Sequence, residues 1–455
     1  MKCSMTSILT GKSSKLVDEY CIKELGIPSV VLMERASYGA YEEILKEINQ
    51  NQEVVIFCGI GNNGADGLAI GRMLFQNNFE VLVYIVGDIH KASEEFKLQL
   101  NIDKKIGVNV IPYNMEIKYS NNAIFIDAIF GIGLSRNVEG KFSNVINQIN
   151  SVDNMVISID VPSGINSDKG YSMGNAVNAD KTITFGKLKS GLVLCDGKKY
   201  SGKVIIKDIG FDDLAYNYII ENFSEEIYYG CEGRISDLIP KRLETSNKGT
   251  YGRVKIIAGS KSMCGAAFLS AYAAYRCGVG IVEVFTHENN MNIIKAKLPE
   301  AITKSYLEPL DIDENSNVVI GPGISVSKDS KSLIEKVLAS KCKVVIDADG
   351  LNTISENSEM LKLLHKNVVV TPHIKEMSRL IKKDCDDIRN NIVFYAREFS
   401  KKYKCITVIK DATTIISNSK GEVVVNLSGN NGMSTGGSGD VLSGIIGSLI
   451  SQKVS

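Results

Sequence analysis

Gly432-Met433-Ser434-Thr435-Gly436-Gly437-Ser438-Gly439-Asp440 runs straight into Val441–Ile450, and this stretch decides the fold of the C-terminal half. Val441, Leu442, Ile445, Ile446, Leu449 and Ile450 fall at helical spacing. Between them Ser443, Gly444, Gly447 and Ser448 make a second face with almost no side chain. A flexible glycine loop thus feeds a buried helix, with its free amides at the helix's positive end. Unpaired N–H groups and the helix dipole favour an anion there. Asp440 adds a carboxylate where an anion is already wanted. That is unfavourable unless the acid does chemistry, such as taking a proton from a hydroxyl beside a phosphate. A glycine turn with an aspartate N-cap is the bland alternative.

The chain of 455 residues is long enough for two domains of roughly 200 residues, each able to bury a core. Lys+Arg and Asp+Glu are equal at 52 each, so no global field draws in nucleic acid or membrane lipid. Ten cysteines are scattered without a Cys-x-x-Cys pair, the pattern of a reduced protein. Met1–Lys15 is polar, and no run approaches a membrane span. A soluble cytoplasmic protein is expected.

Residues 12–50 read as two helices, the first carrying Leu16, Tyr20, Ile22 and Leu25 on one stripe and broken at Gly26-Ile27-Pro28. Strands and helices then alternate. Strands are expected at 53–57, 81–86, 123–126, 155–159, 182–185 and 204–206, with helices such as 66–76 and 94–104 between them. Such alternation argues a mostly parallel sheet covered on both faces. The first strand ends in Gly59-Ile60-Gly61-Asn62-Asn63-Gly64-Ala65-Asp66-Gly67, which fits a dinucleotide fingerprint with an unusual Asn pair. Two later strands end in oxygen donors, at Asp127 and at Asp160-Val161-Pro162-Ser163-Gly164. If these strands are adjacent, Asn63, Asp127 and Ser163 converge as oxygen ligands suited to a hard cation and not to zinc. Asp160 remains as a free carboxylate, a candidate acid/base. Each polar strand end taken singly also reads as a cap or turn. Nothing after Gly59–Gly64 supplies a hydride-transfer set such as Tyr-x-x-x-Lys, which argues against a dehydrogenase.

Residues 214–232 carry tyrosines and acids without glycine-bounded strands and read as a linker between domains at 1–213 and 233–455, the second opening at Ser236–Arg242. Strands are expected there at 254–258, 281–285, 318–320, 344–346, 368–370, 405–409 and 423–426. Polar or glycine-rich tips follow most of them, including Gly265-Ala266, Gly321-Pro322-Gly323, Asp347-Ala348-Asp349 and Lys410-Asp411-Ala412-Thr413-Thr414. His373 and Glu376 stand three apart on one helix, where they are metal ligands, a polar lining for a nucleotide or its Mg²⁺, or a helix-start cap.

LGIPSVVLMERAS, NNGADGLAIGR, DAIFGIG and DVPSG resemble the NAD(P)H-hydrate epimerase family across residues 10–210. The resemblance implies a Rossmann-like α/β/α domain and a K⁺ ion held by Asn63, Asp127 and Ser163. It implies substrate contacts at Asn62, Asn63, Gly64, Ala65, Asp66, Gly131, Ile132, Gly133, Leu134, Ser135, Arg136, Asn137 and Asp160. Ala65, Arg35 and Ser37 depart from the family's usual Gly, Asn and Gly. From about residue 230 onward, IGPG, DADGLN, TPHIKE and GMSTGGSGDVLSGIIGSLISQ resemble the ADP-dependent NAD(P)H-hydrate dehydratases, a ribokinase-like α/β fold. By position, Gly265, Ala266, Gly323, His373 and Asp440 face the hydrated nucleotide. Lys410, Asp411, Ala412, Thr413, Thr414, Gly436, Gly437, Ser438 and Gly439 face ADP, with Mg²⁺; Asp411 replaces a usual glycine. That family continues past its glycine signature with helices beside the adenine site, so a chain ending at Ser455 is expected to be cut short of that wall.

The expectation is a homo-oligomeric bifunctional enzyme. One domain epimerises the R and S hydrates of NADH and NADPH. The other dehydrates the S form with ADP, giving AMP and phosphate. Asp160 and Asp440 are the catalytic acids. The rival readings are a small-molecule kinase fused to a nucleotide-binding domain and a non-catalytic nucleotide sensor. Turnover of a vitamin or sugar hydroxyl with ATP marks the first, and binding without epimer exchange marks the second.

Overall fold

Successive residues of the strand Glu53–Cys58 point to opposite sides: Val54, Ile56 and Cys58 enter one buried cluster, Val55 and Phe57 another. A strand that is apolar on both faces must lie inside a sheet covered on both sides. The computed structural model, which describes residues 5–211, 213–223, 227–231, 239 and 241–454, shows that arrangement. Glu53–Cys58 sits within a seven-stranded sheet whose registered pairs are all parallel. Glu80–Ile85 and Asn109–Pro112 extend it one way; Ile124–Ala128, Val156–Ile159, Lys181–Phe185 and Lys203–Lys207 extend it the other. This is the doubly wound order, and its reversal point lies between Glu53–Cys58 and Ile124–Ala128, where such sheets bind ligands beyond the strand ends. The three strands carrying the expected oxygen ligands are adjacent.

Residues 7–228 form one compact unit; residues from Tyr229 on, with Met5 and Thr6, form another. The expected linker at 214–232 is therefore corrected where it is described. Helix Asp213–Asn222 buries Ala215 and Ile219 with Val17 and Cys21, and Tyr229–Cys231 pairs in parallel with Val424–Asn426. Asp213, Tyr218 and Glu221 are the exposed face of that amphipathic helix, while Tyr216 packs inward and Tyr228 is buried in a strand. Of the expected opening at Ser236–Arg242, residues 236–238 and 240 lie outside the described residues. The first helix, Gly11–Lys23, is capped by Thr10 and buries Ser13, Ser14, Val17 and Cys21, while Ile22 of the expected stripe is exposed.

In the C-terminal unit Ile302–Ser305, Ile281–Thr286, Arg253–Ile257, Asn317–Ile320, Lys343–Ile346, Val368–Val370 and Ile406–Ile409 run parallel in that order. Ile415–Ser417 and Val423–Asn426 then continue antiparallel. The final helix, Ser438–Ser451, seats on its small-residue face. The small residues Ser443, Gly444, Gly447, Ser448 and Ser451 are its buried face, and its large apolar residues are only partly covered. The cause is close backbone approach: a Cβ on Gly444 would stand 2.1 Å from the Ser270 carbonyl oxygen of helix Cys264–Arg276. Ser270 Oγ donates to the Asp440 carbonyl oxygen at 2.9 Å and the Val279 N–H donates to Ser448 Oγ at 3.2 Å, fixing the pair.

Candidate functional sites

A cavity of ≈ 550 Å³ opens at the reversal point of the N-terminal sheet. Asn62, Asn63, Asp66, Gly131, Ile132, Gly133, Leu134, Ser135, Arg136 and Asp160 line it. Gly64, Ala65 and Asn137 do not. Gly64 faces inward, where a Cβ would meet the Gly59 carbonyl oxygen at 1.8 Å, so the helix Asn62–Gln76 starts directly against the preceding loop. Ala65 is helical and fully buried, so replacing glycine there asks for no left-handed backbone. Ser37, another departure, has a partner: its hydroxyl donates to Asp66 Oδ1 at 3.1 Å. Burial holds Asp66 well above the usual carboxylate range despite that bond.

Asp160 is buried at 8% exposure and adopts φ 66°, a strained conformation for a non-glycine residue. Its N–H donates to the Ile183 carbonyl at 2.7 Å. Lys189 Nζ sits 2.9 Å from Asp160 Oδ1 and donates to the Phe185 carbonyl at 2.6 Å. The Ile132 N–H and Thr184 Oγ1 each donate to the carboxylate at 3.3 Å. Sequence reasoning missed Lys189, which reads as one lysine among several in Lys187-Leu188-Lys189; Lys187 and Asp18 also line the cavity.

Asp127 and Ser163 come together away from the cavity wall. Both are fully buried, and Ser163 Oγ donates to Asp127 Oδ1 at 2.5 Å. The Asp127 carboxylate also accepts from the Ser163 N–H, the Ser158 hydroxyl and the Ile129 N–H. Burial still pushes Asp127 up from the usual range. Asn63 and Asp160 flank the Gly131 loop: a Cβ on Gly131 would lie 3.1 Å from Asp160 Oδ2 and 3.3 Å from Asn63 Cγ. Both polar atoms of the Asn63 side chain are buried without a hydrogen-bond partner. The orphaned Asn63 amide and the oxygen-only chemistry of Asp127 and Ser163 suit a hard monovalent cation, which these three would hold.

In the C-terminal unit, the Gly436, Gly437, Gly439 and Asp440 amides donate no hydrogen bond among the described residues. Gly437 caps the helix with φ 87°. A Cβ on Gly439 would stand 3.4 Å from Lys410 Nζ and 3.5 Å from Asp347 Oδ2, so the glycine loop, Lys410 and Asp347 meet. Lys410 Nζ pairs with Asp347 Oδ1 at 2.7 Å. Burial first, then the charges of Asp347 and Asp349 against that of Lys410, pushes Asp440 up to about 6. Gly323 and Ala266 also meet: a Cβ on Gly323 would stand 3.0 Å from that of Ala266. Gly265 is open to solvent.

His373 and Glu376 form a capping box on helix Ile374–Ile381, His373 Nδ1 accepting from the Glu376 N–H and Glu376 accepting from the His373 N–H. Of the three readings, the cap is realised. Asp411 lies 3.5 Å from Arg389, while Thr413 is buried and the Thr414 carbonyl accepts from Asn426. Among the described residues no group of three or more His, Cys, Asp or Glu is placed to hold a metal. A Mg²⁺ here fits as an ion carried by nucleotide phosphates with one or two carboxylates. No helix among the described residues is long and apolar enough to cross a membrane.

A family model described as YjeF-related protein N-terminus matches residues 29–191, and one described as NAD(P)H-hydrate dehydratase matches residues 254–455. A protein of Coxiella burnetii named bifunctional NAD(P)H-hydrate repair enzyme Nnr is 34% identical over 437 residues, 95% of this chain and 88% of its own. The Nnr of Dictyoglomus turgidum is 32% identical over 472 residues, covering 98% and 90%. A ribokinase-like superfamily protein of Enterococcus faecalis is 30% identical, with a TM-score of 0.43, over 48% of this chain and 78% of its own. With both family models matched in one polypeptide and relatives above 30% identity along nearly its whole length, the chain belongs to the bifunctional NAD(P)H-hydrate repair enzyme family.

Proposed function

We propose that Asp160 and Asp440 serve the two reactions of this bifunctional repair enzyme, one in each unit. The chain epimerises the R and S hydrates of NADH and NADPH and dehydrates the S hydrate to the intact dinucleotide. The observation that carries the assignment is that each acid sits at the carboxyl rim of its own sheet. Asp160 is strained and ion-paired beside a cavity; Asp440 lies at bare amides next to Lys410.

In the C-terminal unit the amides of Gly436, Gly437 and Gly439 and the Ser438 hydroxyl cradle the phosphoryl group in transfer from ADP. Lys410, with Thr413 and Thr414 nearby, faces the nucleotide. The substrate hydroxyl lies against Gly265, Ala266, Gly323 and His373. Asp440 accepts the hydroxyl proton as the O–P bond forms and AMP leaves; the C6–O bond then breaks to release phosphate, and loss of the C5 proton to solvent restores the nicotinamide double bond. The protein's contribution is positioning and charge stabilisation. Mg²⁺ would neutralise charge on the phosphates. In the N-terminal unit Asp160 exchanges protons with the hydrate, and Lys189 keeps its carboxylate oriented. K⁺ held by Asn63, Asp127 and Ser163 would supply positive charge close to the bound nucleotide. Homo-oligomeric assembly and cytoplasmic residence belong to the same proposal.

The test follows both hydrates by chromatography with ADP and Mg²⁺. Asp440→Asn should abolish dehydration and spare epimer exchange, and Asp160→Asn should do the reverse. Loss of both activities from either substitution would defeat the division.

A further inference from the structure

Asp18 shares the N-terminal cavity with Asp66, Glu95 and Asp160, and the reading so far gives it no role. It lies on helix Gly11–Lys23 just after the buried Val17. Its side chain makes no hydrogen bond or ion pair among the described residues; Lys189, the nearby cation, is committed to Asp160 and the Phe185 carbonyl. Burial pushes Asp18 up to about 7, Lys189 opposes, and the charges of Asp160 and Glu19 reinforce. Asp66 and Tyr216 also feel its charge, and Lys15, Lys187 and Glu95 share the wall. One cavity thus holds an acid that keeps its proton near neutrality and a carboxylate tied to a lysine. An unpaired carboxyl facing a carboxylate that is ion-paired and hydrogen-bonded in the same cavity is an arrangement that can serve as acid and base.

The substrate's chemistry requires such a pair. A dihydronicotinamide is an enamine: its C5 takes a proton and water adds at C6, next to N1. Inverting C6 through the same route breaks the C6–O bond, the N1 lone pair forming an N1=C6 iminium. The departing oxygen needs a proton, and the incoming water must lose one on the other face of the ring.

Resting on the assignment of Asp160 above, we propose that Asp18 is the general acid that protonates the departing C6 hydroxyl while Asp160 takes the proton of the water entering opposite. One water leaves and one enters. The proton lost by Asp18 and the one gained by Asp160 are exchanged through solvent or by turnover in the reverse sense. No oxidant or reductant is involved.

The full-length protein is incubated with purified R hydrate of NADH in H₂¹⁸O, and epimer ratio and label are followed by chromatography and mass spectrometry, with the spontaneous rate subtracted. The wild type should place ¹⁸O in the hydrate as fast as it epimerises; epimerisation without label would overturn C–O cleavage and with it the inference. Asp18→Asn should slow both by about 10²-fold or more, the usual worth of a positioned acid. Asp18→Glu should recover part of the rate. The wild-type rate should fall above about pH 7 as Asp18 ionises, a limb that Asp18→Asn lacks. An Asp18→Asn rate near that of the wild type, with Asp160→Asn inactive, would sink the role of Asp18 alone. Full exchange by Asp160→Asn would sink the underlying site assignment. Amide hydrogen exchange over Gly11–Lys23 matching that of the wild type verifies that the N-terminal unit of Asp18→Asn is folded.

Discussion

Gly444→Ala tests whether the small face of the final helix is its seat. Two effects compete. Alanine improves an exposed helix interior by about 0.8–1 kcal/mol over glycine. Here, however, the new Cβ meets the Ser270 carbonyl oxygen at 2.1 Å, its carbon at 2.9 Å and its Cα at 3.0 Å. All three are backbone atoms of helix Cys264–Arg276, so no rotamer change clears them. Overpacking of this kind costs about 1–3 kcal/mol, and rigid neighbours put it towards the upper end. The net expectation is destabilisation by about 1–2 kcal/mol. Restoring ordinary contact, which begins at 3.4 Å, requires the helices to part by about 1.3 Å. Asp440 and the amide cradle ride on the same helix, and a misplacement of about 1 Å can cost 10²-fold in rate. Dehydratase kcat should therefore fall about 10²-fold while epimer exchange is unchanged. Urea unfolding and the two assays on one preparation measure both effects. A variant as stable and as active as the wild type would show that the helices do not meet through Gly444.

Dehydratase kcat/KM should fall about tenfold per pH unit below pH 6, because Asp440 must be ionised to accept a proton and burial pushes it up to about 6 in the free enzyme. Asp347→Asn removes a neighbouring negative charge, so the acidic limb of that profile should move to lower pH; a shift the other way contradicts the sign. Lys189→Met leaves Asp160 buried without its cation, and breaking such a pair costs about 3–5 kcal/mol. Amide hydrogen exchange over Lys181–Phe185, the strand that Lys189 and Asp160 both bond to, should lose protection; wild-type protection there argues against a structural ion pair.

What the sequence disclosed follows from how each element is stabilised. Central strands such as Glu53–Cys58 and Lys343–Ile346 are short apolar runs bounded by polar tips, and they were visible. Asn109–Pro112 and Ile302–Ser305 are half-exposed edge strands without a continuous apolar run, so no periodic signal marked them. Asp160 could be found because its strand leads straight to it. Asp18 and Lys189 could not, because a helix early in the chain and a segment after Phe185 reach the cavity only through tertiary folding. Helical spacing identified the last helix but not which face it buries. Periodicity assumes that bulk side chains seek the core, whereas here backbone-to-backbone proximity wins.

One strand, Lys181–Phe185, fixes both members of the N-terminal ion pair: Ile183 accepts from the Asp160 backbone, Thr184 donates to its carboxylate, and Phe185 accepts from Lys189. Acid and counter-charge are thereby referred to a common ruler. Movements that widen or narrow the cavity should carry the two together, so the pocket can flex around a bulky dinucleotide while the spacing of acid and lysine is kept.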